Sequence, residues 1–378
     1  MEKGCNLMER FIVIGAGIFG ASTAYHLARA GVNVTIIDRK DKGQATDAAA
    51  GIVCPWLSQR RNKDWYRLAK TGAAFYPGLI SELEEAGETE TGYAKVGAIS
   101  LHTDRKKLME MKDRALKRLE DAPEIGEIRL LDEEETRTLF PPLAETYSSV
   151  YVSGAARVNG RALRDALLRS AERLGAQIVY GDARLVTEGQ KVTGVKACGD
   201  FYEASKVVVT VGAWISDLMQ SVGIGFRSKD LKAQIVHMKL PDTQTKNWPV
   251  IIPPGSQYIV PFEDGRIVAG ATYENFTNFD LRVTAGGMHE ILEKALEVAP
   301  GLENSSLLET RVGFRPYTPE SIPVLGELPG FENILIGNGL GATGLTAGPY
   351  LGSELARLTL GEEPKMDMSL YQVERALT

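Results

Sequence analysis

The sequence predicts an α/β fold built on a buried sheet, joined to a second, α+β domain. Three observations predict it. Phe11-Ile12-Val13-Ile14 is an apolar, β-branched run of the kind buried on both faces of a sheet, and Gly15, Gly17 and Gly20 follow at once. A second such run, Val207-Val208-Val209-Thr210-Val211, also meets a glycine, Gly212. A third, Ile334-Leu335-Ile336, leads into Gly337, Gly339, Gly341 and Gly344, and then into a helical pattern reaching about Leu360. The chain closes with the device that opens it: strand, glycine-rich loop, helix N-terminus.

In the first unit each glycine has a physical task. Gly15 allows the strand-to-helix turn, Gly17 lets the backbone approach a pyrophosphate, and Gly20 lets the helix over 18–30 pack against the strands. The helix-end amides and the helix dipole favour phosphate charge. Val34-Thr35-Ile36-Ile37 forms the next strand and ends at Asp38, placed to take ribose hydroxyls. This is a Rossmann-like dinucleotide site. Residues 39–53 are small and Gly/Ala-rich. They suit a backbone lying flat on a planar ligand, and equally an ordinary helix start capped by Thr46 or Asp47.

The remaining elements follow from periodicity. A helix is predicted over 64–85, interrupted or bent at Pro77-Gly78, then a strand over 94–102. A charged helix over 104–119 turns Leu108, Met109, Met111, Ala115, Leu116 and Leu119 inward. A short helix after Asp132 ends at Pro141-Pro142. Residues 151–158 read as a strand or bend, and 160–175 as an amphipathic helix with Leu163, Ala166, Leu167, Ala171 and Leu174 on its apolar face. Strands over 176–180 and 183–188 precede a hairpin of 191–197 and 201–204. The run at 206–214 has the form that would return beside the first strand. Strands over 230–240, 257–262 and 266–273, a helix over 285–299 and a strand over 310–316 carrying Arg315 build the second domain on an antiparallel sheet.

Composition narrows the function. A chain of 378 residues, 44% apolar, can bury a large core and predicts two domains. A net charge of −6 without a long basic run disfavours nucleic acid and anionic membrane as partners. No apolar stretch is long enough to span a bilayer. Three scattered cysteines, Cys5, Cys54 and Cys198, fit a reducing compartment, hence a cytoplasmic location, and no disulfide framework. The four histidines and three cysteines show no metal-ligand spacing. Residues 1–9 read as a ragged lead-in, with Met8 as an alternative start.

Several motifs in order make a resemblance specific: the GxGxxG with Asp38, the AAAG of 48–51, VVVTVGAW, YIVPFEDGRIVAGAT, GFRPYTPESIPVLG and the closing glycine-rich loop. From Met8 on, the chain resembles the flavoproteins that include D-amino-acid oxidases, glycine oxidases, sarcosine oxidases and D-amino-acid dehydrogenases. The resemblance implies FAD, and a discontinuous FAD domain (8–90, 146–218 and 319–378) with a substrate domain (91–145 and 219–318) on a mixed or antiparallel sheet. It implies that Gly15, Ala16, Gly17, Ile18 and Gly20 hold the pyrophosphate and Asp38 and Arg39 lie at the ribose. Ala45, Thr46, Ala49, Ala50 and Gly51 would lie along the flavin. Arg184 or Leu185 would meet the adenine, and Gly212 and Trp214 would flank the cofactor. Gly341, Ala342, Thr343, Gly344, Leu345 and Thr346 would present amides to the flavin pyrimidine edge.

For the substrate, the resemblance implies that Arg315 clamps a carboxylate as a planar two-donor fork. Tyr258 would donate to the same carboxylate, and Tyr273 would line the pocket. At the Arg315 position the sarcosine-oxidase branch carries a cysteine that links to flavin, so non-covalent FAD is expected here. The loop NGLGATGLTAG lacks the basic residue of some glycine oxidases. The reaction implied is hydride transfer from the α-carbon of a small amino acid (glycine, a D-amino acid or an N-methyl or cyclic imino acid) to flavin N5. Water then hydrolyses the imino acid to a 2-oxo acid and ammonia or an amine. The electron acceptor is O2, a quinone or a protein, so oxidase and dehydrogenase both stand, as does a homo-oligomer. The alternatives are a flavin dehydrogenase of the same fold acting on a hydroxy acid or secondary amine, and a non-catalytic flavin-binding subunit.

Overall fold

The computed structural model describes residues 9–275 and 278–378. The expected lead-in, Met8 and Cys5 fall largely or wholly outside them. Two large sheets organise the chain. The first has six strands in the order Val324–Glu327, Ile334–Asn338, Lys206–Val209, Arg10–Ile14, Asn33–Asp38, Gln177–Tyr180. All neighbours are parallel except the antiparallel pair at the Val324–Glu327 edge. The strand at 206–209 does return beside the first, with Ile14 opposite Val209 and Val208 opposite Leu335. The three glycine turns predicted from the sequence therefore stand side by side at one edge of this sheet.

The first strand is apolar at every position after Arg10 because it is covered twice. Phe11 and Val13 pack under the helices Ile18–Arg29, Gly160–Arg173 and Gly344–Thr359, whereas Ile12 and Ile14 pack on the opposite face. That second face is covered by the helix Ile215–Gln220 and by a three-stranded sheet of Arg184–Glu188, Lys191–Ala197 and Asp200–Glu203.

The second sheet has eight strands, ordered Ser306–Tyr317, Lys229–Lys239, Arg266–Gly270, Tyr258–Pro261, Val250–Ile252, Ala98–His102, Ser148–Val152, Ile128–Leu131. It is antiparallel except where Val250–Ile252 runs parallel to Ala98–His102. Its alternating positions sort onto two faces. Val236 and Met238 pack with Ile291, Ala295 and Val298 of the helix Ala285–Val298, while Ala233 and Ile235 join the core shared with the first sheet. We take the two sheets as the cores of the two domains. On that division the expected boundary at 146 moves beyond Val152, because Ser148–Val152 pairs with Ala98–His102 in the second sheet.

Some local expectations are corrected. Lys63–Glu85 is one helix that passes through Pro77. Met109, Leu116 and Leu174 point outward: their helices bury a narrower stripe than the apolar pattern suggested, keeping Leu108, Met111 and Ala115 in one and Leu163, Ala166, Leu167 and Ala171 in the other. Residues 45–48 form a single 3-10 turn without a side-chain cap, so neither Thr46 nor Asp47 starts a helix. The strands Val250–Ile252, Ile128–Leu131 and Val324–Glu327 carried too short a pattern to be read from sequence.

Candidate active site

A cavity of about 1370 Å³ runs from the glycine edge of the first sheet to the inner face of the second. It exceeds the roughly 300–1,000 Å³ typical of a single small-molecule site, as a dinucleotide plus a small substrate would require.

At the glycine end the backbone is shaped by what side chains would hit. Gly15 has φ +96°, and a Cβ there would lie 2.6 Å from the Thr210 carbonyl oxygen. At Gly20 a Cβ would lie 1.8 Å from the Gly15 oxygen, so the helix can approach the turn only as glycine. Gly17 differs: a Cβ there would meet only the Thr46 hydroxyl, at 3.5 Å, and the residue starts the helix without a side-chain cap of its own. Its neighbour Ile18 donates its N–H to Thr46 Oγ1 at 3.0 Å. Thr46 thus caps a helix 28 positions away instead of its own segment. The Asp38 carboxylate accepts from the N–H groups of Ala16 (2.7 Å) and Lys40 (2.6 Å) and from Gln44 Nε2 (3.1 Å). It therefore braces the glycine turn from the tip of the second strand.

Most of the predicted cofactor residues meet in this cavity. Gly15, Gly17, Ile18, Asp38, Arg39, Ala45, Thr46, Ala49, Ala50, Gly51, Arg184, Gly212, Trp214, Gly341, Ala342, Gly344, Leu345 and Thr346 all line it. Four stand behind the wall. Ala16 and Gly20 act through the turn, Leu185 packs into the core beneath, and Thr343 accepts from the Trp65 indole N–H at 2.8 Å. Of the pair Arg184 and Leu185, the lining residue is Arg184. Arg39 pairs with Asp41 and Asp182 and lies 5.9 Å from the Trp214 ring centre.

The small-residue segment over 45–50 is fixed by residues the sequence reading did not single out. Arg164, on the helix Gly160–Arg173, pairs with the Asp47 carboxylate, and Arg311 Nη1 donates to the Asp47 carbonyl at 3.1 Å. Thr346 Oγ1 donates to the Ile52 carbonyl at 3.0 Å, tying the last glycine loop to the same segment. Asn338 Nδ2 donates to the Gly212 carbonyl at 2.9 Å and so joins the second and third glycine turns.

On the wall formed by the second sheet Arg315 and Tyr258 come together. Arg315, in the Ser306–Tyr317 strand, stands opposite Leu231, and Tyr258 stands opposite Gly270 three strands away, with two strands between. Burial raises the Tyr258 phenol pKa, opposed by the charge and hydrogen bonding of Arg315. Kept protonated by burial, the phenol has an O–H to give to a ligand. Among the described residues, no carboxylate lies within ion-pair distance of Arg315. Tyr273 lines the cavity but is 62% exposed, because its strand stops at Gly270; it stands at the mouth. Tyr317 also lines the cavity and was missed, although it lies two positions after Arg315 and so on the same face of the strand. Cys54 lines the wall as well, and burial pushes its thiol up to about 12, so it stays protonated.

A family model described as FAD dependent oxidoreductase matches residues 10–358, nearly the whole chain. The chain belongs to that family. This oxidoreductase uses FAD, and the cradle fits it: an open Gly17 at the helix start, a braced acidic strand tip and a cavity of dinucleotide size. It is 57% identical over 371 residues to the uncharacterized oxidoreductase YurR of Bacillus subtilis (strain 168), covering 98% of this chain and 100% of the relative. The crystal structure of iminodiacetate oxidase from Chelativorans sp. BNC1 matches with TM-score 0.93 and 42% identity, covering 96% of this chain and 98% of the other. That of glycine oxidase from Geobacillus kaustophilus matches with TM-score 0.83 and 26% identity, covering 97% and 98%. No helix among the described residues is long and apolar enough to cross a membrane.

Proposed function

We propose that the oxidoreductase is an oxidase of a small amino acid or N-substituted glycine, breaking the α-carbon hydrogen bond and giving the 2-oxo acid and ammonia or amine. The observation that carries this reading is Arg315 beside Tyr258, a cation with no carboxylate partner among the described residues, on the cavity wall that the second sheet forms. Bound FAD supplies the two-electron acceptor, held non-covalently. Arg315 binds the substrate carboxylate through its guanidinium fork, and the Tyr258 O–H donates to the same group. Fixing that end orients the Cα–H bond and removes the rotational freedom that a free substrate would lose in reacting. The amine reacts as the neutral base. Its α-carbon loses a hydride and its nitrogen a proton, and water adds to the resulting imine. The likeness to an iminodiacetate oxidase and a glycine oxidase supports the amine donor and oxygen as acceptor.

The test is anaerobic bleaching of the flavin by glycine, sarcosine, iminodiacetate, D- and L-alanine and proline, followed by air. Bleaching by at least one of these amines with rapid recolouring is the expected result. Slow recolouring would make the protein a dehydrogenase, and bleaching by none of them would end the reading. Acid precipitation should leave free FAD in the supernatant, whereas flavin retained in the pellet would exclude a non-covalent cofactor.

A further inference from the structure

The cavity carries a second cation that this reaction does not use. Arg60 lies in the loop between the strand Ile52–Val53 and the helix Lys63–Glu85, and it lines the same cavity as Arg315. Its guanidinium carbon sits 4.7 Å from the centre of the Trp65 ring. Trp65 is itself anchored, its indole N–H donating to Thr343 Oγ1 at 2.8 Å in the last glycine loop. The ring therefore holds the Arg60 guanidinium at the cavity by a cation–π contact. Among the described residues no carboxylate pairs with Arg60.

Tyr317 relates the two arginines. Burial raises its phenol pKa, and the charges of Arg315 and, less strongly, Arg60 pull it back down. The geometry agrees: the Tyr317 ring, two positions after Arg315, packs so closely on Gly341 that it leaves no room for a Cβ there, and Trp65, which holds Arg60, bonds Thr343 in the same loop, so the last glycine loop brings both arginines to one part of the cavity. The carboxylates that line the cavity are Asp38, Asp41, Asp182 and Asp217. They sit at the second strand tip, in the loop after it, in the turn before Arg184 and on the helix Ile215–Gln220, all at the dinucleotide end. The substrate end thus holds two cations with no lining acid to balance them.

From this we infer that Arg60 binds a second, distal carboxylate, and that the substrate class is a secondary amine carrying two carboxymethyl-type arms, one on Arg315 and Tyr258 and the other on Arg60. The inference rests on the amine-oxidase reading above and assigns which amine the site prefers. A substrate with one carboxylate would leave Arg60 unused, whereas one with two would neutralise both cations.

Glutarate and butyrate test this without turnover. Glutarate has the chain length of iminodiacetate with a methylene in place of the nitrogen, and butyrate stands in the same relation to sarcosine. Neither can be oxidised at a C–N bond, so each can be titrated into the holoenzyme and followed through the flavin absorbance. Glutarate should bind about tenfold more tightly than butyrate, the size of one charge-assisted hydrogen bond. Arg60→Gln should bring that ratio to about one, and Arg60→Lys should restore part of it. Flavin content of the variants shows that they are folded. Equal binding of the two acids by the parent protein, or an unchanged ratio in Arg60→Gln, would overturn the assignment. These outcomes are separate from the bleaching screen: a protein reduced by glycine that binds both acids equally keeps the oxidase reading and loses the role of Arg60.

Discussion

At one end of the cavity, Gly15, Gly17, Ile18 and Asp38 come from a single continuous stretch, 10–38, and the chain bonds to itself through Ala16 N–H and the Asp38 carboxylate at 2.7 Å. Elsewhere on its wall, Tyr258, Arg315 and Tyr317 come from strands of the second sheet and Arg60 from the loop between Ile52–Val53 and the helix Lys63–Glu85. The glycine end is closed by contacts so tight that an added Cβ would overlap a carbonyl. On the substrate side Arg315, Tyr258 and Tyr317 are half-buried and Arg60 is exposed, and among the described residues neither arginine has a carboxylate partner. The first region is built for one ligand shape by backbone geometry. On the proposed reading the second holds its ligand by charge, through side chains from separate elements. Substitutions at the two ends should therefore have separable effects.

The largest effect is expected at Arg315. Removing one partner of a buried charge pair costs about 2–5 kcal/mol, or roughly 30- to several-thousand-fold in affinity or efficiency. Arg315→Met should lower kcat/KM for an amino acid by that factor while FAD content stays normal and an amine without a carboxylate is little affected. Flavin reduction rates for an amino acid and its decarboxylated counterpart measure this. Equal rates in parent and variant would make Arg315 an ordinary strand arginine.

Gly20→Ala tests the opposite end. Its Cβ would lie 1.8 Å from the Gly15 oxygen, and overpacking of this kind costs about 1–3 kcal/mol. Thermal unfolding should show a lowered Tm together with FAD loss, and an unshifted Tm would mean that the helix can move away from the turn without cost.

Asp38→Ala should weaken FAD binding by about 1–3 kcal/mol, since three donors lose their acceptor along with the proposed ribose contact. Substrate preference should not change in whatever fraction retains flavin. A changed preference would show the two ends to be coupled.

The smallest effect concerns the seam between them. His237 is buried on the inner face of the second sheet, and neither ring nitrogen has a hydrogen-bond partner. Burial first, then Arg311, with Arg266 and Arg161, lowers its pKa from 6.5 to about 3, against the opposing charge of Glu309. The unfolded chain therefore binds a proton between these values that the folded one does not, and stability falls as pH drops below 6.5. The loss from this residue between pH 6.5 and 5.5 is about 1 kcal/mol. His237→Leu should flatten that part of the Tm-against-pH curve, and an equally steep curve in the variant would assign the acid sensitivity elsewhere.

The glycine turns were legible because each is a local event. A strand, a positive-φ glycine and a helix start fit within a few residues, so each of the three units can be read before any contact is known. Arg315 and Tyr258 were legible only through resemblance, since an arginine on a strand carries no periodic mark of its own. Thr46 was read as the cap of its own segment because capping is normally local, yet its hydroxyl serves Ile18. Met109 and Leu116 were read inward because an apolar residue at helical spacing does not reveal how wide a stripe its neighbours will cover.

By itself the sequence determined the dinucleotide unit, the return of the 206–214 run beside the first strand and a second, largely antiparallel sheet, because those follow from φ preferences and from periods of 2 and 3.6 along a continuous chain. Only the tertiary structure decided that Arg311 and Arg164 grip Asp47 from different elements, that Tyr273 stays at the mouth while Tyr317 lines the cavity beside Arg315, and that Arg60 is held at that cavity by Trp65. These are meetings of residues far apart in the chain, set by how the two sheets pack, and no local window of sequence contains them.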